Sequence, residues 1–273
     1  MGGSRVQRLI GQSSLLSTLK HQIEQNTLSR FIIITGNRGS GKKMIVKEIA
    51  KLLNATEYEC KTGVNDIREL IKNSYKIKAN VVYTIPDADT MSVQAKNSLL
   101  KVTEETPNNA YIIMTLENLE NTLDTIKSRA RIYHMDRYTP SEIGEYCERY
   151  GKDKYLYESL CDTPGECDIL YKQNPQEFYK YVAKVVDNIA TTSGSNVFKI
   201  ADKIALKDSD DGYDLVLFWK CFNKVLFDKR FKMSGIKVTN QYLRYVQIKS
   251  LNKQMLFDNW ILDIRERWRN EDE

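Results

Sequence analysis

Long apolar runs are absent from this sequence. No stretch of roughly eighteen or more apolar residues occurs, and the amino-terminal segment lacks the apolar core of a signal peptide. Histidine is scarce as well, because the chain has only His21 and His134, which lie far apart and have no neighbours that suggest a metal site or a catalytic base. The lack of long apolar runs and of a signal-peptide core predicts a cytoplasmic protein without membrane contact.

Cysteine patterns are also lacking. The five cysteines are scattered and include no Cys-x-x-Cys pair, so the sequence predicts neither a disulfide framework nor a zinc site. We expect reduced thiols with structural roles. Charge of one sign is not in strong excess either, since a formal net charge of +5 permits contact with nucleic acid without requiring it.

A phosphate-binding loop with one altered residue is the most informative feature that is present. Residues 36–43 read Gly-Asn-Arg-Gly-Ser-Gly-Lys-Lys and follow an apolar run. In such loops the glycines, here Gly36, Gly39 and Gly41, turn backbone N–H groups toward the β-phosphate, and the lysine, here Lys42, reaches the β- and γ-phosphates. A Ser or Thr hydroxyl then ligates Mg²⁺, but Lys43 holds that place and would repel the metal. We therefore expect at most an anion or weakly bound ATP or ADP, without Mg²⁺.

A second departure follows the predicted strand at 81–85. An ATPase of this layout carries Asp-Glu here, of which the first acid holds Mg²⁺ and the second polarises the attacking water. Pro86 takes the metal-holding place, Asp87 takes the water-polarising place, and Asp89 is the usual third acid. The segment alone could be a plain loop. Two losses at the two metal-binding positions of one scaffold favour a site that has lost hydrolysis.

The amino-terminal half alternates helical and strand-like patterns. This alternation is typical of a parallel sheet with crossover helices. Buried strands are predicted at 31–35, 81–85 and 111–115, and a short strand at 131–135. Such sheets bind their ligands at the carboxyl ends of the strands, and the two altered motifs both lie at such ends.

Helical additions account for the remainder of the chain. Pro140 starts a helix after the sheet domain, and Asn174-Pro175 breaks the chain. We predict an α/β domain over 1–138, a small helical lid over 139–174 and an all-helical collar domain over 175–273. Within the last of these, loops are predicted at 191–196 and 208–212.

The segment from Val82 to Pro107 resembles the clamp-loader branch of the AAA+ ATPases. That family reads Asp-Glu-Ala-Asp, then Asn-x-Leu-Leu-Lys, then Glu-Glu-Pro. The corresponding residues here are Pro86-Asp87-Ala88-Asp89, Asn97-Ser98-Leu99-Leu100-Lys101 and Glu104-Glu105-Thr106-Pro107. Ile10-Gly11-Gln12 matches the family's amino-terminal box, and Ser128-Arg129-Ala130 resembles its Ser-Arg-Cys motif. The similarity is strong over residues 8–137, moderate to about residue 172, and weak beyond.

The resemblance implies an AAA+ P-loop sheet followed by a lid and a collar. Arg129 would be the arginine finger that is presented, with Ser128, to ATP bound by a neighbouring subunit. At the sensor positions, Glu117 stands where Asn is expected, unless the alignment slips by one to Asn118. Asp168 stands where the family places the Arg that senses the γ-phosphate. The family's inserted zinc module is missing.

The implied partners are the other clamp-loader subunits, both ATPase subunits and a delta-like subunit. Contact with primer–template DNA and with the sliding clamp would come through the complex. The expected function is that of a non-hydrolysing, stator-like subunit with no required cofactor. Two alternatives stay open: a weakly active AAA+ ATPase, and a stand-alone DNA-binding protein on a decayed AAA+ scaffold, which the basic and aromatic residues between 229 and 269 would suit.

Overall fold

The computed structural model describes residues 9–148, 154–192, 197–199, 214–246 and 251–272. In these ranges no helix is both long and apolar enough to cross a membrane. The predicted loop at 208–212 and most of the one at 191–196 lie outside the described residues.

The chain divides into two compact units. The first contains Met1–Glu142 and Thr163–Gly165, and the second contains Ile143–Asp162 and Glu166–Glu273. Most of the predicted lid therefore falls in the same unit as the predicted collar. The division into three domains stays a prediction.

Five parallel strands form the sheet of the first unit. In chain order they are β1 (Phe31–Thr35), β2 (Thr56–Glu59), β3 (Val81–Ile85), β4 (Ala110–Leu116) and β5 (Arg131–His134). Their spatial order is β2-β3-β4-β1-β5, and every neighbouring pair is parallel. The predicted parallel α/β sheet is thereby confirmed, with β1 held between β4 and β5.

The described residues of this unit include the helices α1 (Ser13–Glu24), α2 (Lys42–Leu52), α3 (Val64–Ser74), α4 (Val93–Glu104) and α5 (Asp124–Lys127), and the start of α6 (Pro140–Cys147). Successive residues of β1 enter different cores, because side chains alternate between the faces of a strand. Ile32 packs in a cluster with residues of α1 and α2, whereas Ile33 packs in a cluster with residues of α3 and α4.

Strand β2 was missed by the sequence analysis. Its residues, Thr-Glu-Tyr-Glu, are mostly exposed at one edge of the sheet and give no apolar run. The three predicted buried strands have the opposite character, since every residue of β1, β3 and β4 is buried.

The predicted helix start at Pro140 is also confirmed. A reciprocal capping box fixes it, because Thr139 Oγ1 accepts from Glu142 N and Glu142 Oε2 accepts from Thr139 N.

Helices make up most of the described residues of the second unit. They include the rest of α6, α7 (Lys154–Leu160), most of α8 (Pro164–Lys172), α9 (Pro175–Thr191), α10 (Leu215–Lys229), α11 (Ser234–Leu243) and α12 (Lys253–Asp272). Fully buried aromatic rings from α10 and α12 form the centre of its core, with Trp219 stacked on Phe257 and Phe222 edge-on to Trp260.

Lys220 of α10 pairs with one carboxylate in the connection between α7 and α8 and with another in the first turn of α8. Its Nζ donates to Asp162 Oδ2 at 2.6 Å and to Glu166 Oε1 at 2.8 Å. Burial opposes the charge of Lys220, but the carboxylates of Glu166 and Asp162 outweigh it and raise the pKa of the ammonium. The interaction is less exposed to solvent than an ordinary surface ion pair, because the side chains of Lys220 and Glu166 are only 20% and 18% exposed.

We expect Lys220→Met to reduce the free energy of unfolding by about 1–3 kcal/mol, because two carboxylates lose their shared cation. The folded-state pKa is raised, so this contribution is fully present below the ordinary lysine value of about 10.4 and is lost as pH rises through the folded-state value. Urea denaturation at pH 7 and near pH 11 measures both effects.

Lys229→Met is the matched control. Lys229 lies on the same helix and pairs with Asp187, but both side chains are substantially exposed. Such pairs contribute roughly 0–1 kcal/mol. Equal losses from the two variants at pH 7 would contradict the assignment of Lys220.

Candidate functional site

The phosphate-binding loop lies between β1 and α2, at the carboxyl end of a strand in the interior of the sheet. Gly39 and Gly41 have φ values of 76° and 94°, a region that glycine reaches without strain. Helix α2 begins at Lys42, directly after Gly41. The first predicted motif therefore has the local geometry of a P-loop.

Lys42 is buried and turns back onto the loop. Its Nζ donates to Gly36 O at 2.6 Å and to Asn37 O at 2.9 Å. Burial lowers the pKa of Lys42, while the carboxylates of Glu117, Asp87 and Asp89 act in the opposite direction. The structure thus brings together predicted site residues that come from the ends of β1, β3 and β4.

Lys43 has a different partner. Its side chain is exposed, and its Nζ pairs with Glu59 Oε2 at 3.3 Å, at the end of the edge strand β2. The residue that replaces the metal-binding hydroxyl therefore contacts a carboxylate of the sheet edge.

The carboxylate of Asp89 accepts hydrogen bonds from the backbone. Its two carboxylate oxygens accept from Glu117 N at 2.7 Å and Asn118 N at 3.0 Å, which fixes the turn after β4. The side chain of Asn118 accepts from Glu120 N and caps that turn. The carboxylate of Glu117, from the same turn, acts to raise the pKa of Lys42.

Pro86 and Asp87 complete the altered motif. Asp87 is exposed, has a φ of 48°, and donates its N–H to Thr115 Oγ1 at 3.4 Å. Pro86 brings no carboxylate to the metal-holding position. Across the part of the chain that the structure describes, no group of three or more His, Cys, Asp or Glu side chains is arranged to hold a metal ion.

Residues that the sequence analysis did not single out cover the outside of the loop. Thr163 Oγ1 donates to Arg38 O at 3.0 Å, and Tyr138 Oη donates to Ser40 O at 2.7 Å. Gly165 N donates to Gly39 O at 3.0 Å, and a Cβ added to Gly165 would lie 2.5 Å from the Cα of Gly39. With the bonds from Lys42, every carbonyl from residue 36 to 40 accepts a hydrogen bond from the protein.

Arg129 lies in the turn between α5 and β5. Its Nε and Nη2 both donate to Glu104 Oε1, at 3.1 Å and 2.6 Å, and its Nη1 donates to Thr125 O at 2.8 Å. Ser128 Oγ donates to the same Thr125 carbonyl at 3.1 Å. The two residues of the predicted finger motif thus satisfy a carbonyl at the end of α5 that helical bonding leaves open.

Asp168 belongs to the second unit. Its carboxylate accepts from Tyr146 Oη at 2.9 Å and 3.1 Å. The residue that stands at the γ-phosphate-sensing position therefore has a hydrogen-bond partner within its own unit.

We expect Asp89→Asn to lower the free energy of unfolding by about 1–2 kcal/mol, because a charge-assisted pair of bonds to backbone N–H groups is lost. Chemical denaturation measures this change. Asp87→Asn is the control, since asparagine tolerates the left-handed backbone at that position and the Asp87 carboxylate has no hydrogen bond to the described residues. A loss as large for Asp87→Asn would contradict the role given to Asp89.

Comparisons with known proteins agree with these features. Residues 55–139 match the family model described as "DNA polymerase III, delta subunit". The DNA polymerase III subunit gamma/tau of Mycoplasma genitalium is 28% identical over 170 residues, which cover 50% of this chain and 28% of that protein. The DNA polymerase III subunit tau of Bacillus subtilis is 25% identical over 170 residues, covering 51% and 30%. This chain thus spans less than a third of these two relatives.

Solved structures share the fold. A DNA polymerase III gamma subunit-related protein of Thermotoga maritima superposes with a TM-score of 0.50 at 17% identity, covering 93% of this chain and 99% of that one. The Holliday junction branch migration motor RuvB of the same organism gives a TM-score of 0.50 at 16% identity, covering 81% and 78%. This chain therefore has the fold of these solved structures, and part of its sequence is similar to DNA polymerase III subunits.

Proposed function

We propose that this chain is a delta-prime-type subunit of a bacterial DNA polymerase III clamp loader, which does not hydrolyse ATP itself and supplies Arg129 to a neighbouring ATPase subunit. The observation that carries the proposal is one combination within the first unit. A P-loop whose metal-binding positions are lost occurs together with a Ser-Arg motif whose guanidinium is partly exposed.

The contacts around the loop support the loss of hydrolysis. Lys43 lacks the hydroxyl that would ligate Mg²⁺ and is paired with Glu59. Pro86 has no carboxylate, and the oxygens of Asp89 accept from backbone N–H groups. The proposed subunit therefore needs no cofactor. An anion, ATP or ADP bound weakly at the loop would lack the metal that activates phosphoryl transfer.

The chemistry of Arg129 supports a role at ATP that is bound by a neighbouring subunit. A planar guanidinium suits the charge that spreads over a γ-phosphate in the transition state. The side chain is 34% exposed, and three of its N–H groups are donated within the chain. An arginine has five such groups, so two are left over within the described residues.

The names of the similar proteins suggest which class of protein this chain binds. They are DNA polymerase III gamma and tau subunits, and we infer that ATPase subunits of this type bind beside the chain in a cytoplasmic complex that also contains a delta-like subunit. Primer–template DNA and the sliding clamp would be bound by the complex as a whole.

A weakly active ATPase is the alternative that the structure favours next. Lys42 is retained, and the carboxylates of Asp87 and Glu117 interact with it electrostatically. Such a site would need a metal held at unusual positions.

Turnover of ATP by the purified chain separates these two functions. We expect no Mg²⁺-dependent release of phosphate, because the hydroxyl and carboxylate ligands of the metal are missing. The Lys42→Ala variant, which lacks the phosphate-reaching amine, serves as the blank. Hydrolysis that requires Mg²⁺ and disappears in this variant would make the chain an ATPase in its own right.

The finger is tested in the assembled loader. We expect Arg129→Ala to reduce ATP turnover at the neighbouring site that receives this arginine on the order of 10³-fold or more, as removal of an arginine finger does in other nucleotide hydrolases. Folding and assembly should be unchanged, because exposed ion pairs contribute little to stability. Arg68→Ala, at an exposed arginine of α3, is the matched control. Full turnover with Arg129→Ala would refute the proposed role.

A further inference from the structure

We infer that Glu104 is a positioning residue, which holds the guanidinium of Arg129 in the orientation that it presents to a neighbouring subunit. This inference rests on the proposed function of Arg129 and extends it to a residue of another helix. Glu104 lies at the end of α4, 25 residues before Arg129 in the chain.

The contact has a defined geometry. Glu104 Oε1 accepts from two nitrogens of Arg129, Nε and Nη2, so that one edge of the guanidinium is fixed. Thr125 O accepts from Nη1 and fixes a third point. Bonds at three nitrogens restrict rotation about the side-chain torsions of Arg129, and a charge-assisted bond to a carboxylate is stronger than a bond between neutral groups.

The two partners are carried by elements that pack together. Leu99 and Val102 of α4 and Ile126 of α5 are fully buried in the same core cluster. The side chain of Ser92 accepts from Ala95 N and caps the start of α4. The separation between the Glu104 carboxylate and the Arg129 backbone is therefore set by the core of the domain, as a positioning contact requires.

A stabilising role alone accounts poorly for this pair. Glu104 and Arg129 are 54% and 34% exposed, and pairs of that exposure contribute little to the free energy of unfolding. Orientation of a group that acts on charge in a transition state is more sensitive, because a displacement of about 1 Å can cost roughly 10²-fold in rate. Loss of Glu104 should therefore affect turnover far more than stability.

The test is a double-mutant cycle in the loader assembled from this chain and its ATPase subunits. We expect Glu104→Gln to lower kcat for ATP by about 10- to 100-fold, with KM for ATP and assembly, measured by size-exclusion chromatography, unchanged. Glutamine keeps the size of the side chain and removes its charge. Combined with Arg129→Ala, the Glu104 substitution should cause no further loss, since it acts through Arg129.

Glu105→Gln is the matched control, because Glu105 is the exposed neighbour of Glu104 and has no ion pair among the described residues. We expect it to leave kcat unchanged. If Glu105→Gln lowered kcat as much as Glu104→Gln does, the assignment of Glu104 would be overturned, because the loss would then come from the change in local charge alone.

The possible failures are distinguishable. If Arg129→Ala leaves turnover unchanged, the proposed function is wrong. The inference about Glu104 is wrong, and the proposed function stands, if Arg129→Ala lowers ATP turnover but Glu104→Gln has no effect on it. The same holds if Glu104→Gln lowers ATP turnover by the same factor with and without Arg129.

A second measurement uses the isolated chain. The Nε–H of Arg129 is donated to Glu104, so its proton should exchange slowly with solvent in ¹H–¹⁵N spectra, and Glu104→Gln should accelerate that exchange by several-fold, roughly in proportion to the population of the broken contact. An exchange rate that does not respond to the substitution would overturn the positioning role.

Discussion

The parallel sheet is the constraint on which the rest of the first unit depends. Because parallel strands all end at one edge, residues that follow β1, β3 and β4 must meet there. Lys42, Asp87, Asp89 and Glu117 meet in this way, although they are spread over more than seventy residues of sequence. The turns at this edge are then fixed by short polar contacts, such as those from Asp89 to the backbone after β4.

The phosphate-binding loop and its altered residue Lys43 are held by contacts with other residues of the protein. Lys43 pairs with the edge strand, and Tyr138 and Thr163 bind carbonyls of the loop from outside. The loop can therefore keep its shape without a bound metal, because its backbone carbonyls are satisfied by the protein itself. Under the proposed function, the chemistry that remains to such a domain is that of the partly exposed guanidinium of Arg129.

The sequence predicted the elements whose pattern is local and missed those whose contacts are distant. The apolar runs at 31–35 and 81–85 predicted two buried strands with correct bounds, whereas the polar edge strand β2 gave no periodic signal. The phosphate-binding loop and the Ser128-Arg129 motif were visible in the sequence. Their partners were not, because the contacts of Arg129 with Glu104 and of Ser40 with Tyr138 join residues 25 and 98 positions apart. Only the folded chain brings such residues together.

The structure of the assembled loader with Mg²⁺, ADP and aluminium fluoride, determined by cryo-electron microscopy, tests the central claim most directly. We expect the Arg129 guanidinium to lie within hydrogen-bond distance, about 2.7–3.2 Å, of the phosphate mimic bound by a neighbouring subunit. We also expect the loop of this chain to hold no Mg²⁺-nucleotide. A Mg²⁺-nucleotide on its own loop, or an Arg129 remote from every bound nucleotide, would contradict the proposed function.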